Sequence, residues 1–148
     1  MRRLLIVILA LFCSAAGAEV YKCPQTYPRK EGRGTPLTGA YMHMGELRGD
    51  GWLQGNEEAA QEGFDVRYAF LDEEQAWLVC QYGGMKRNKG RFHDGHEWNQ
   101  SVEGSTTEWW MKLGPKVGVC IVEVREVKPP NAGKSIWTVT TACARPRL

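Results

Sequence analysis

Near its end the sequence reads VGVCIVEVREV (residues 117–127), KPPNAGK (residues 128–134) and SIWTVTTAC (residues 135–143). The first and last of these segments are rich in β-branched residues, which is typical of strands in an antiparallel sheet. The middle segment contains two prolines, which cannot donate hydrogen bonds to a β-ladder. The three segments together predict a β-hairpin.

The hairpin also predicts which cysteines are bonded to each other. A loop centred on residues 131–132 places Cys120 opposite Cys143. Directly opposed residues of antiparallel strands point to the same face, with Cβ atoms close enough for a disulfide. We therefore expect a Cys120–Cys143 bridge, which leaves Cys23 and Cys80 to form the second one.

Further strands are predicted before this hairpin. Residues 65–71 and 76–82 alternate in character around the acidic turn 72–75. This pattern predicts a second hairpin, with Phe70 opposite Trp77. Two shorter strands are predicted at residues 20–23 and 108–113.

The rest of the chain is predicted to be loop. Glycine and proline interrupt residues 24–56 too often for a long element, and residues 56–61 are expected to form one or two helical turns. We therefore predict an all-β or β-dominated fold, a small antiparallel sandwich or barrel with a disulfide-linked C-terminal hairpin and long loops.

The start of the chain has the features of a secretory signal peptide. Two arginines precede an apolar run at residues 4–12, and Ala16-Gly17-Ala18 supplies a small-x-small cleavage pattern. The apolar run is shorter than the ~20 residues that a membrane-spanning helix needs. We expect cleavage after Ala18, a periplasmic location and one mature domain, residues 19–148, without a membrane span.

Removal of the leader would change the cysteine count and the net charge. Four of the five cysteines remain, and an even number in an exported protein is typical of a disulfide framework. Lysine and arginine fall from 19 to 17, which equals the 17 acidic residues. Without a positive excess, no nucleic-acid partner is predicted. Lipid attachment at Cys13 is an alternative, but Leu11 and Phe12 are bulky for that processing.

The order of the cysteines and aromatic residues is distinctive. A Cys-Pro pair at 23–24 follows the leader, residues 77–82 read Trp-Leu-Val-Cys-Gln-Tyr, and Cys120 and Cys143 come late. This pattern resembles a family of short exported proteobacterial proteins with no established activity. The resemblance implies a periplasmic location and a disulfide-bonded β fold, and it brings no catalytic residues. The sequence departs from the family pattern in the long stretch from Met85 to Thr107.

The sequence contains no familiar catalytic motif. Neither a G-x-S-x-G elbow nor an H-E-x-x-H helix is present. The four mature cysteines are expected to be bridged, so none would serve as a thiol nucleophile. Adjacent carboxylates such as Glu57 and Glu58 are expected to be solvated on surface turns. We predict that the protein is not an enzyme and carries no cofactor.

Export, small size, cross-linking and long polar loops favour a binding function. We predict a periplasmic, non-catalytic binding protein of the inhibitor or immunity type, with a protein partner such as a secreted or cell-wall-acting enzyme. The stretch Met85–Thr107 is expected to reach this partner. The residues expected to make the contact are Arg91, His93, His96 and Trp98.

Two other functions are left open by the sequence. Methionine and histidine are ligands that suit copper, and histidine also suits zinc. The candidate metal ligands are Met42, His43, Met44, His93 and His96. The other alternative is a structural component of the cell envelope.

Six tryptophans are many for a domain of this size. Trp77 and Trp137 lie in predicted strands and are expected in the core. Trp109 and Trp110 are consecutive, so in a strand they point to opposite faces, and one of them points away from the buried side. An outward tryptophan suits a protein-binding hot spot or a surface on which sugars stack.

Overall fold

The computed structural model describes residues 17–30, 34–70, 74–83 and 107–145. These residues contain eight β-strands and no α-helix, which confirms the predicted fold class. None of them lies in a helix with the length and apolar character needed to cross a bilayer. The strands are β1 (Glu19–Lys22), β2 (Leu37–Met44), β3 (Asn56–Ala60), β4 (Gly63–Ala69), β5 (Ala76–Tyr82), β6 (Thr107–Lys112), β7 (Val119–Val127) and β8 (Ile136–Ala144).

The strands form two antiparallel sheets with a shared apolar core. One sheet has the order β1-β8-β7-β4-β3, and the other has the order β2-β5-β6. Two antiparallel sheets that pack through their inner faces make a β-sandwich. Its core includes Val66, Tyr68, Val122, Val124 and Val139 from the five-stranded sheet, and Met42, Leu78 and Tyr82 from the three-stranded sheet.

The alternation of side chains in β7 explains how the five-stranded sheet forms. Cys120, Val122 and Val124 are buried in the core. Ile121 and Glu123, which lie between them, are exposed. This period of two is the pattern of an antiparallel strand with one face on the core and one face in water.

Both predicted disulfides are present, and they have different structural roles. Cys120 lies directly opposite Cys143 in the ladder of β7 and β8, and their Cα atoms are 4.1 Å apart. Cys23 follows β1, and its amide donates to the Val139 carbonyl, which continues the ladder with β8. Because Cys23 is bonded to Cys80 in β5, the second disulfide links the two sheets.

The prediction that residues 65–71 and 76–82 form a hairpin is wrong. β4 pairs with β3 and β7, whereas β5 pairs with β2 and β6, so Phe70 and Trp77 are not opposed. The second half of β4 alternates between buried and exposed side chains, but every residue of β5 is buried or half-buried. A strand covered on both faces fits the centre of the three-stranded sheet, so the chain changes sheets between β4 and β5.

The prediction of irregular chain at residues 24–56 is also wrong, because this range contains β2. Seven of the eight residues of β2 are buried. A register irregularity between Leu37 and Gly39 lets the strand pair with β5 despite its glycine. At this bulge the Thr38 hydroxyl donates to the Gly83 carbonyl at 2.7 Å.

The predicted helical turns at residues 56–61 are replaced by β3, an edge strand that pairs with β4. A two-residue connection joins these strands, and within it Glu62 has a φ of 58°. A Cβ atom on Gly63 would lie 2.0 Å from the Val124 carbonyl oxygen, so only glycine permits this approach of β4 to β7. The tight turn and the strand pairing therefore override the helix-favouring glutamates and alanines.

Candidate functional site

The residues predicted to contact a partner lie outside the described part of the chain. They are Arg91, His93, His96 and Trp98. The stretch Met85–Thr107, in which they lie, is also outside the described residues except for Thr107. Their role in binding stays a prediction. The described residues offer two other surfaces, one on the three-stranded sheet and one at the end of the C-terminal hairpin.

Met42, His43 and Met44 follow one another in β2, and the strand separates them. Met42 is fully buried in the core, and Met44 packs against it. Successive strand residues point to opposite faces, so the His43 side chain lies on the other side of the sheet. These three residues do not converge on one point. Among the described residues no three His, Cys, Asp or Glu side chains cluster as metal ligands, and metal binding stays a prediction.

The face of the three-stranded sheet that points away from the core is rich in aromatic side chains. We call it the aromatic face. Strand register places Tyr41 beside Val79 and Trp110, and places His43 beside Trp77 and Lys112. Trp52 forms an isolated bridge with His43 at the edge of β2 and extends the second row. The aromatic face comprises Tyr41, His43, Trp52, Trp77, Gln81, Glu108 and Trp110.

Glu108 organises one side of the aromatic face. The Tyr41 hydroxyl donates to Glu108 Oε1 at 3.1 Å, and Trp110 Nε1 donates to Glu108 Oε2 at 2.9 Å. Both carboxylate oxygens thus accept a hydrogen bond from an aromatic side chain. Burial, reinforced by the charge of Glu108 and by this hydrogen bond, raises the pKa of the Tyr41 phenol far above its ordinary value.

The turn after β2 fixes the other side of the aromatic face. Trp77 Nε1 donates to the Gly45 carbonyl at 2.9 Å, and His43 Nε2 lies 2.9 Å from the Gly49 carbonyl. A carbonyl oxygen can only accept, so Nε2 is the donor of this hydrogen bond, and Nδ1 is an acceptor in the tautomer that carries its proton on Nε2. His43 is 2% exposed, and Nδ1 is buried with no hydrogen-bond partner among the described residues.

Trp110 lies at the centre of this set of rings. Its ring centroid is 4.9 Å from that of His43, 6.2 Å from that of Trp77 and 6.4 Å from that of Tyr41. The interplanar angles of 66° to 82° are edge-to-face contacts, which are favourable between aromatic rings. The cluster therefore holds its rings in fixed orientations.

Gln81 is a second buried polar group on the aromatic face. It is the ladder partner of Glu108 and is only 2% exposed. Within the described residues, neither its amide nitrogen nor its amide oxygen has a hydrogen-bond partner. An unpaired buried amide is costly, and native structures contain few of them.

The second surface is the end of the C-terminal hairpin, residues 127–136, which we call the hairpin end. The last backbone contacts from the described neighbouring strands are Glu62 to Glu126 on one side and Cys23 to Val139 on the other. Val127 and Ile136 face each other just beyond these contacts. Both side chains are exposed, at 39% each.

The turn within the hairpin end has a defined geometry. The Ala132 amide donates to the Pro129 carbonyl at 3.1 Å. Pro130 and Asn131 are the two central residues, and Asn131 has a φ of 68°. Proline at the first central position and a positive φ at the second are the marks of a type II turn. The turn is therefore preset by its own sequence.

The hairpin end carries only positive charge. Lys128 and Lys134 are both exposed, and residues 127–136 include no Asp or Glu. The nearest acidic residue along the chain is Glu126, at its base. Two lysines beside two exposed apolar side chains give this surface the character of a cationic binding element.

The tryptophan predictions have a mixed outcome. Trp109 packs against the core, whereas Trp110 lies on the aromatic face, which confirms that the pair points to opposite sides. Trp137 packs against the core as predicted. The prediction that Trp77 lies in the core is wrong, because its neighbours Ala76 and Leu78 occupy the inward positions of β5.

Comparisons of the chain with protein families, with curated proteins and with solved structures found no match. The resemblance to short exported proteobacterial proteins therefore stays a prediction. Two disulfides are typical of proteins that fold outside the cytoplasm, and they agree with the predicted export.

Proposed function

We propose that this is an exported, non-catalytic binding protein of the inhibitor type, active in the periplasm after loss of residues 1–18. Its partner is a glycosidase that cleaves the cell wall. The hairpin end is the element that enters the cleft of this enzyme. The observation that carries the proposal is a disulfide-anchored hairpin whose end combines an exposed apolar pair with two lysines.

Rigidity supports the proposal. The ladder of β7 and β8 pairs nine residues of each strand, and the Cys120–Cys143 disulfide closes it near the far end. The type II turn at Pro130 and Asn131 fixes the tip. A binding element that is already in its bound conformation loses little conformational freedom on association, which favours tight binding.

Charge supports the choice of enzyme class. Most glycosidases hydrolyse their substrates with a pair of Asp or Glu side chains in an open cleft. Lys128 and Lys134 are exposed on an element without any carboxylate, so their charge is complementary to such a cleft. The exposed Val127 and Ile136 would pack on the walls of the cleft, as apolar anchors do in protein interfaces.

The test is inhibition of cell-wall lysis. Turbidity of a cell-wall suspension is followed with a panel of muramidases, in the presence of increasing amounts of the protein. We expect at least one muramidase to be inhibited. The K128E/K134E double variant should need at least about tenfold more protein for half inhibition, because like charges would then meet in the cleft.

A matched control separates the hairpin end from a general effect of charge. Lys116 is exposed in the connection that leads into β7 at Val119, so it lies at the end of the hairpin opposite to residues 127–136. Lys116→Glu should leave inhibition within about twofold of the unchanged protein. Failure of the unchanged protein to inhibit any muramidase of the panel would contradict the proposal, as would equal inhibition by the double variant.

A further inference from the structure

We propose that the aromatic face binds a glycan chain. Pyranose rings would stack on Trp52 and Trp77, and a sugar hydroxyl would donate a hydrogen bond to His43 Nδ1. This site is separate from the hairpin end and does not depend on the proposed inhibitor function. Sugars present apolar C–H surfaces together with hydroxyl groups, and the aromatic face has a matching feature for each of the two.

The first feature is aromatic surface that reaches the solvent. Trp52 is 41% exposed, and Trp77 and Trp110 are half-buried. Trp52, His43 and Trp77 form one row across three neighbouring chain segments. Adjacent strands lie about 4.8 Å apart. A chain of linked pyranose rings laid along this row would meet the two tryptophans on either side of the imidazole.

The second feature is that the indole N–H groups of two tryptophans are already used within the protein. Trp77 donates to Gly45, and Trp110 donates to Glu108. What these side chains offer a ligand is therefore ring surface, which suits the C–H groups of a sugar. Because the edge-to-face contacts hold the rings in place, little side-chain freedom would be lost on binding.

The third feature is a buried hydrogen-bond acceptor in the middle of the row. His43 Nδ1 is buried and has no partner among the described residues. A hydroxyl that reaches between Trp52 and Trp77 would give it one, and a buried acceptor gains most from such a bond. Trp52 and Trp77 lie on either side of His43, so two strand spacings, about 10 Å, separate them. This separation fits an oligosaccharide rather than a single sugar.

Lys112 helps to exclude a different ligand class. Aromatic rings close to a carboxylate also suit quaternary ammonium groups. Lys112 is the ladder partner of Trp77 and is exposed at the end of the same row. Its positive charge disfavours a cation at this place and is compatible with a neutral or acidic sugar.

The experiment measures binding of N-acetylchitohexaose, by titration calorimetry and by tryptophan fluorescence. We expect saturable binding by the full protein. Trp52→Ala should weaken it about tenfold, and Trp52→Phe, which keeps an aromatic ring, should weaken it by no more than about threefold. Trp52 is exposed, so both variants are expected to fold, which thermal unfolding checks.

Two further arms make the outcome decisive. Ile136→Ala at the hairpin end should leave glycan binding unchanged, so this site can be judged separately from muramidase inhibition. Tetramethylammonium is titrated in parallel. Absence of hexasaccharide binding at millimolar concentration would overturn the proposal. So would tighter binding of tetramethylammonium, or binding that Trp52→Ala leaves unchanged.

Discussion

Cys23 and Cys80 are 57 residues apart in the sequence, and their disulfide joins the end of β1 in one sheet to β5 in the other. The other disulfide, Cys120–Cys143, lies within one sheet and spans 23 residues. One bridge therefore holds the two layers of the sandwich together, whereas the other holds two adjacent strands in register. This difference leads to an ordering of their contributions to stability.

Removal of the inter-sheet disulfide should destabilise the protein more than removal of the hairpin disulfide. Loop-closure entropy gives about 4 kcal/mol for a loop of 57 residues and about 3.5 kcal/mol for one of 23 residues. The variants are Cys23→Ala/Cys80→Ala and Cys120→Ala/Cys143→Ala, and urea unfolding gives their free energies. All four cysteines are buried, so the packing losses are comparable. A larger loss in the hairpin variant would contradict this assignment of roles.

Gly51→Ala should destabilise the edge of β2 on which the aromatic face depends. A Cβ atom at this position would lie 1.6 Å from the Met44 carbonyl oxygen and 3.2 Å from His43 Cε1. Backbone must shift to relieve such a contact, and overpacking of this kind costs about 1–3 kcal/mol. Thermal unfolding measures the loss.

Gly133→Ala is the matched control for this substitution. A Cβ atom on Gly133 meets no other atom within 4 Å, so the unfolding temperature should stay the same or rise slightly. Equal losses in the two variants would show that Gly51 is not needed for the close approach of residues 51–53 to β2.

Asn131→Ala should reduce muramidase inhibition more than it reduces the stability of the fold. Asn131 has a φ of 68°, which asparagine tolerates and alanine adopts only at a cost of about 1 kcal/mol. The turn would open, and the hairpin end would lose its preset shape. We expect a several-fold loss of muramidase inhibition. Glycine accepts a positive φ, so Asn131→Gly should keep the type II turn and the inhibition. Full inhibition by the alanine variant would speak against a preset tip.

Tyr41→Phe should lower the free energy of unfolding at neutral pH. The variant should also lose less of this free energy than the unchanged protein when the pH is raised. Burial first, and then Glu108, raises the pKa of the Tyr41 phenol above its ordinary value of 10.0. A raised pKa means that the stabilisation is complete below about pH 10 and is lost as the pH rises beyond it. Phenylalanine cannot donate to Glu108, so about 1 kcal/mol should be missing at pH 7.

Urea unfolding of both proteins between pH 7 and pH 11 checks this prediction. The difference between the unchanged protein and Tyr41→Phe should shrink at the alkaline end of the range. A difference that grows with pH would mean that Tyr41 is ionised in the folded protein and that the hydrogen bond to Glu108 is not its main interaction.

The sequence was sufficient to predict the fold class, the C-terminal hairpin and both disulfides. Strand alternation around a short proline-containing loop fixes the register, and the position of Cys120 opposite Cys143 follows from it. The same alternation placed Trp109 and Trp110 on opposite faces. The Cys23–Cys80 bridge follows by elimination, and each of the other predictions depends on residues that are close in the sequence.

What could not be predicted depends on pairing between distant segments. β4 and β5 are neighbours in the sequence and lie in different sheets, because β5 needs cover on both faces. β2 was not predicted, because its glycine and the prolines before it are typical of loops. Without β2, nothing in the sequence brings Tyr41 to Glu108, 67 residues away, or places His43 on the face opposite to Met42. The aromatic face is therefore visible only in the folded chain.

We propose that the hairpin end, residues 127–136, is the part of this protein that enters an enzyme cleft. Amide hydrogen exchange with and without the inhibited muramidase tests it most directly. We expect protection to appear in the peptide covering residues 127–136 and to be missing in the K128E/K134E variant. Protection that is confined to other segments, with this peptide exchanging at the same rate in the free and the bound protein, would contradict it.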